Sequence, residues 1–160
     1  MSPPTFAAQT PGRLERLRRT ADDIAALIEA APHGVAQRPA PAAWSATEII
    51  CHLRDIEEAY CDRVRGILAN EEPTLIQFDP DRWVDDRQYR RHEAAGALGA
   101  FRARRRDTLA LLDSLDAEQW ERGGEHPSRG RLTVRKIVHS LAKHDTEHCE
   151  QIARALAGRP

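Results

Sequence analysis

The stretch HDTEHCEQI, residues 144 to 152, carries two imidazoles, His144 and His148, four residues apart. On a helix, residues at this spacing stand one turn above each other on one face, so both rings can reach the same point. At about 100° per residue they fall beside Leu141 and Ile152, in the apolar sector of the helix, whereas His139 is expected on the opposite, wet side. Two imidazoles on an apolar face can share a divalent cation, and a third from a facing helix would complete a site with open positions. His52 is the candidate third ligand, at the edge of a stripe that holds Ile49 and Ile56, with the small Ala59 in the same sector. Three histidines suit Zn²⁺, Ni²⁺ or Fe²⁺, and ligand type alone does not choose among them. The residues by themselves also fit ordinary core histidines, each hydrogen-bonded to a neighbour.

HDTEH matches the inverted zinc-protease string H-x-x-E-H as well, with Glu147 as the general base. That mechanism needs a carboxylate ligand well downstream, and Glu150 points about half a turn away from the site. No strand is evident to pair with a peptide substrate.

Three further charged residues lie close to apolar stripes. Asp145, beside His144, could orient a ligand through its second ring nitrogen, or could be a solvated charge at a helix seam. Glu57 is the other acidic group near a stripe, and either could act as a base; the sequence gives neither a catalytic role. Arg105 stands mid-stripe on its helix, where a guanidinium is costly unless paired. It could snorkel to the rim, pair with Asp145 or Glu57, or use its fork to hold the carboxylate of a substrate or cofactor, which makes it the candidate cofactor-binding residue. Cys51 faces away from its stripe and Cys149 lies on a flank, positions that suit small buried groups better than ligands.

These groups are carried by four amphipathic segments. Leu14, Leu17, Ala21, Ile24 and Ile28 recur at helical spacing after a proline-rich stretch, residues 1–12, that is read as a flexible leader. The second segment starts at Ser45, where Ser45 and Glu48 have capping-box spacing. The third runs from about Glu93 to Leu115, and the fourth follows Thr133. Two long crossovers, 71–92 and 116–132, separate the last three, and Trp44, Trp83 and Trp120 sit where they could staple connections onto the helices. With no convincing strand, the expected architecture is all-α: a four-helix bundle over residues 13–158.

The 160 residues are enough for one core and too few for two. A net charge of −1 gives no global field for nucleic acid or an anionic membrane, so the RARRR run around Arg105 reads as a solvated face. Three cysteines without CxxC spacing, no apolar signal region and no long apolar run predict a cytoplasmic protein without disulfides or a membrane span.

WSATEIICHLRDIE, followed by RGRLTVRKIVHSLAKHDTEHCEQI, resembles the DinB-like (YfiT-type) superfamily of metalloenzymes over most of the chain. The most specific elements are W-S-x-x-E-x-x-x-H-L at the start of the second helix and H-D-x-x-H-x-x-Q in the fourth. The resemblance implies a bundle with a non-sequential helix order, often dimeric, with a divalent metal on His52, His144 and His148. It also implies a metal-dependent enzyme that activates water or a low-molecular-weight thiol such as mycothiol, bacillithiol or glutathione, for transfer to or hydrolysis of a small electrophile. The alternative is a stress-related protein that binds metal or ligand without turnover. The expected partners are a small-molecule substrate and a second copy of the chain.

Overall fold

Helix α2, Ala46–Ala69, is the central element, and its first turn shows why it starts where it does. Ser45 accepts a hydrogen bond from the Glu48 backbone N–H, while the Glu48 carboxylate accepts from the Ser45 N–H, so two otherwise orphaned donors are satisfied. The computed structural model describes residues 6–160. Within them, α1 (Phe6–Ala30), α2, α4 (Ala94–Asp113) and α6 (Val134–Leu156) form the bundle, and Thr133 caps α6 through the Lys136 N–H. Among the described residues, no helix is long and apolar enough to cross a membrane.

The neighbours are not sequential. α1 packs on α6 and α4, and α2 packs on α4 and α6, so α1 lies diagonally opposite α2, and α4 opposite α6. A simple up-and-down bundle would put consecutive helices side by side. Here the first and last helices pair, and the helix with His52 lies directly against the helix with His144 and His148.

The crossovers contain more structure than their sequence suggests. Residues 71–92 include α3 (Pro80–Asp86) and a 3₁₀ turn at Tyr89–Arg91, both packed on α2. Residues 116–132 contain α5 (Ala117–Glu121) and most of an antiparallel hairpin, β1 (Gly123–His126) with β2 (Gly130–Thr133), which corrects the expectation of no strand. These strands are too short for a clear alternation, and their marks are glycines. Gly130, at φ +67°, closes the turn. Gly124 lets β1 lie against the first crossover, where the Leu75 N–H donates to the Glu125 carbonyl at 2.8 Å and the Glu125 N–H to the Pro73 carbonyl at 2.9 Å.

Two further expectations change together. Of the leader at 1–12, the first five residues lie outside those described, but the chain is helical from Phe6, with Pro11 inside the helix. Thr10 is buried, accepts from Arg135 Nη1 at 2.8 Å and sits 3.4 Å from His139 Nε2. The early turns of α1 therefore cover His139, which is buried rather than wet. Cys51, off the apolar stripe, is fully buried because α3 and the 3₁₀ turn add cover to a helix already flanked by α4 and α6.

A Cβ on Gly124 would lie 2.6 Å from the Pro73 carbonyl and 2.7 Å from Leu75 Cδ2, whereas one on Gly99 in α4 would meet nothing within 4 Å. Gly124→Ala is expected to cost about 1–3 kcal/mol through overpacking, while Gly99→Ala gains up to about 1 kcal/mol of helix propensity. Thermal or urea unfolding of the two variants in parallel reads the contrast.

Candidate metal centre

Bringing α2 against α6 places His52 Nε2 3.0 Å from His144 Nε2. The ring centroids of His148 are 4.8 Å from His52 and 4.2 Å from His144, and one nitrogen from each of the three rings falls within 4.8 Å of the others. Imidazole nitrogens on one metal at about 2.0–2.1 Å stand roughly 2.8–3.4 Å apart for angles between a right angle and tetrahedral, so the closest pair already has ligand spacing. The donor set fits a divalent cation.

Protonation agrees with geometry. Burial pushes the His52 imidazole down to about 3, with His148 adding to the shift. Burial likewise brings His144 down to about 2, reinforced by His148, His52 and Arg105. His148 is lowered by burial too, partly opposed by its bond to Gln151. All three are neutral near pH 7, the form in which imidazole offers a lone pair. Gln151 Oε1 accepts a hydrogen bond from the His148 Nδ1–H at 2.7 Å, which leaves Nε2 free to ligate. Nδ1 of His52 and of His144 is buried without a partner.

Gln151 and Trp44 were present in the sequence motifs, but their roles are visible only in three dimensions. Gln151 is three residues beyond His148 and hence on the same face. Trp44, expected as a loop staple, places its ring 5.2 Å from the His52 ring and forms a wall of the site.

Asp145 does not orient a histidine. It is fully buried, accepts from Arg105 Nη1 at 2.7 Å and Nη2 at 3.2 Å, and accepts from the Thr20 hydroxyl at 2.6 Å. Arg105 also bonds Glu57 Oε2 at 2.7 Å and the Leu17 carbonyl at 2.8 Å. Of the roles expected for Arg105, pairing with Asp145 and Glu57 is the one observed, with the residue only 3% exposed. Burial opposes its charge, but Asp145 and Glu57 outweigh burial and hold its pKa above the ordinary arginine value. Cys51 and Cys149 are held as thiols, since burial pushes each up to about 11.

The family model of the DinB superfamily matches residues 16–152. Two proteins of Oceanobacillus iheyensis, each named a candidate metal-dependent hydrolase, are 24% identical over 109 residues (68% of this chain, 63% of the relative) and 25% identical over 116 residues (71% and 65%). YfiT of Bacillus subtilis, similarly named, is 23% identical over 110 residues, 68% of this chain and 62% of that protein. The matches thus span less than two thirds of these relatives' length. The solved structure of Bacillus subtilis YfiT, with its unusual four-helix bundle topology, has a TM-score of 0.84 at 17% identity, over 97% of this chain and 89% of that one. The crystal structure of a mycothiol-dependent maleylpyruvate isomerase has a TM-score of 0.72 at 10% identity, over 94% and 63%. Both share the fold.

Two measurements follow from this site. Unfolded histidines titrate near 6.5, and the folded values are depressed, so the unfolded chain binds more protons below that pH. The metal-free protein should keep its full stability above about pH 6.5 and lose on the order of 2–3 kcal/mol per pH unit between pH 6 and 5, above the usual carboxylate range. A midpoint of thermal unfolding that stays flat from pH 7 to 5 would contradict this. Arg105→Met, which leaves two buried carboxylates without their cation, should cost about 3 kcal/mol or more by urea unfolding.

Proposed function

Because the chain belongs to the DinB superfamily, whose model spans residues 16–152, we propose that it is an enzyme that holds a divalent metal on His52, His144 and His148. Its chemistry is the activation of water or a low-molecular-weight thiol toward a small electrophile, by hydrolysis or by transfer. The observation that carries the proposal is the 3.0 Å approach of two neutral imidazole nitrogens from different helices, with a third ring fixed beside them by Gln151. The names of the relatives, candidate metal-dependent hydrolases, support the first half of this chemistry. The mycothiol-dependent isomerase of the same fold supports the second.

When bound, the cation supplies Lewis acidity, which lowers the pKa of a water or thiol and yields a nucleophile at neutral pH. The protein contributes position and electrostatics. Neutral His52 and His144 converge from α2 and α6, so neither must lose a proton at pH 7 to become a ligand. Gln151 fixes the tautomer of His148, and Trp44 shields one side of His52 from water. Asp145, next in sequence to His144, is tied by Arg105 to Glu57 on α2, so the turn of α6 that carries the histidines is held against the helix that carries His52. The proposal includes a small-molecule substrate and homodimeric assembly, the latter testable by light scattering.

Elemental analysis of untagged protein, wild type and His144→Ala in parallel, tests the metal. Wild type is expected to hold about one divalent ion per chain and the variant well under a tenth of that, because two remaining imidazoles bind far more weakly. Metal-loaded wild type should then consume mycothiol, bacillithiol or glutathione in the presence of a small electrophile, with His144→Ala at the uncatalysed rate. Absence of metal from both proteins after incubation with Zn²⁺, Ni²⁺ and Fe²⁺ would end the proposal.

A further inference from the structure

Arg63 lies on α2 eleven residues after His52, three turns along and about 16 Å away on the helix axis. It is only 8% exposed, yet among the described residues no carboxylate oxygen comes within 4.0 Å of its nitrogens. This separates it from Arg105, which is more deeply buried but meets two carboxylates. Its Nη2 donates to the Ile76 carbonyl at 2.6 Å. The guanidinium carbon sits 4.7 Å from the Phe78 ring centroid and 5.2 Å from that of Tyr60, and Nε is buried with no acceptor. Burial lowers its pKa with only Tyr60 in opposition, and the nearby Arg129 adds to the lowering. A buried cation without a counter-charge is costly, and a chain with 25 acidic residues had the means to supply one.

A cavity of about 210 Å³ opens beside this guanidinium. Ala59, Gly66, Leu75, Ile76 and Phe78 give it a mainly apolar lining, and Ile76, at 71% exposed, is the exposed large hydrophobic residue among those described. Asp62 also borders the cavity but is paired with Arg65 at 3.3 Å. Apolar walls with one well-placed polar group are the usual composition of a small-molecule site.

We propose that this cavity binds a small organic carboxylate with an apolar body, its carboxylate paired with Arg63 and its body against Leu75, Ile76 and Phe78. A guanidinium matches a carboxylate edge to edge, and the mainly apolar walls suit an acid with an apolar body better than a phosphate, which has none. The volume suits an acid of about benzoate size. The site stands apart from the histidine cluster and does not depend on the metal.

The test is a titration of the ¹⁵N-labelled full chain with sodium benzoate at constant ionic strength, with benzamide as the neutral isostere. Saturable shifts at the Arg63, Ile76 and Phe78 amides, at least about tenfold weaker for benzamide, are expected from loss of the charge pair. Two variants check the assignment. Arg63→Gln removes the cation. Gly66→Leu fills the cavity and leaves Arg63 in place, since a Cβ at Gly66 meets nothing within 4 Å. Each should weaken benzoate by at least about tenfold, and Gly66→Leu decides the matter if Arg63→Gln does not fold. Non-saturating shifts with benzoate, equal affinity for benzamide, or wild-type affinity in Gly66→Leu would each overturn the proposal.

Discussion

Arg105 on α4 reaches all three of the other long helices. It bonds the Leu17 carbonyl on α1, Glu57 on α2 and Asp145 on α6, and Thr20 on α1 closes the network through Asp145. A buried charge tolerates little displacement of its partners, because separation exposes the full desolvation cost of each group. The helices are thereby fixed both along their axes and in rotation. The rotation of α2 and α6 matters most, since it sets whether His52 meets His144 and His148.

The same network sets the electrical character of the interior. Three imidazoles kept neutral by burial lie near a cluster with one more carboxylate than guanidinium. Arg105 reinforces the lowering at His144, while Asp145 opposes it at His148. The histidines and the charged cluster share α2 and α6, so the same packing of two helices positions both.

Much of this was readable from the sequence where a strong period or a capping pattern marked it. Ser45 with Glu48 and Thr133 fix the starts of α2 and α6, and helical spacing alone placed His144 and His148 on an inward face. Weak signals failed for physical reasons. The first turns of α1 have no stripe of large apolar residues and contain Pro11, so nothing in their pattern announced a helix, and without that helix His139 had no visible cover. β1 and β2 hold four residues each, too short for alternation to show. Cys51 illustrates a different limit: helical periodicity identifies the most buried face, but α2 has neighbours on nearly every side. For Arg105 the sequence left three possible roles open, and only the positions of Glu57 and Asp145 separate them.

The diagonal placement of α1 and α2 also bears on how the chain comes to be folded. Because α1 rests chiefly on α6 and α4, it has no major neighbour during synthesis until much later segments follow. His52 waits as well, with its partners more than ninety positions downstream. Contacts of such separation carry a large loop-closure cost and form late. Until α6 has been made, the nascent chain cannot assemble the three-histidine cluster, so the site forms only after more than ninety residues have followed His52.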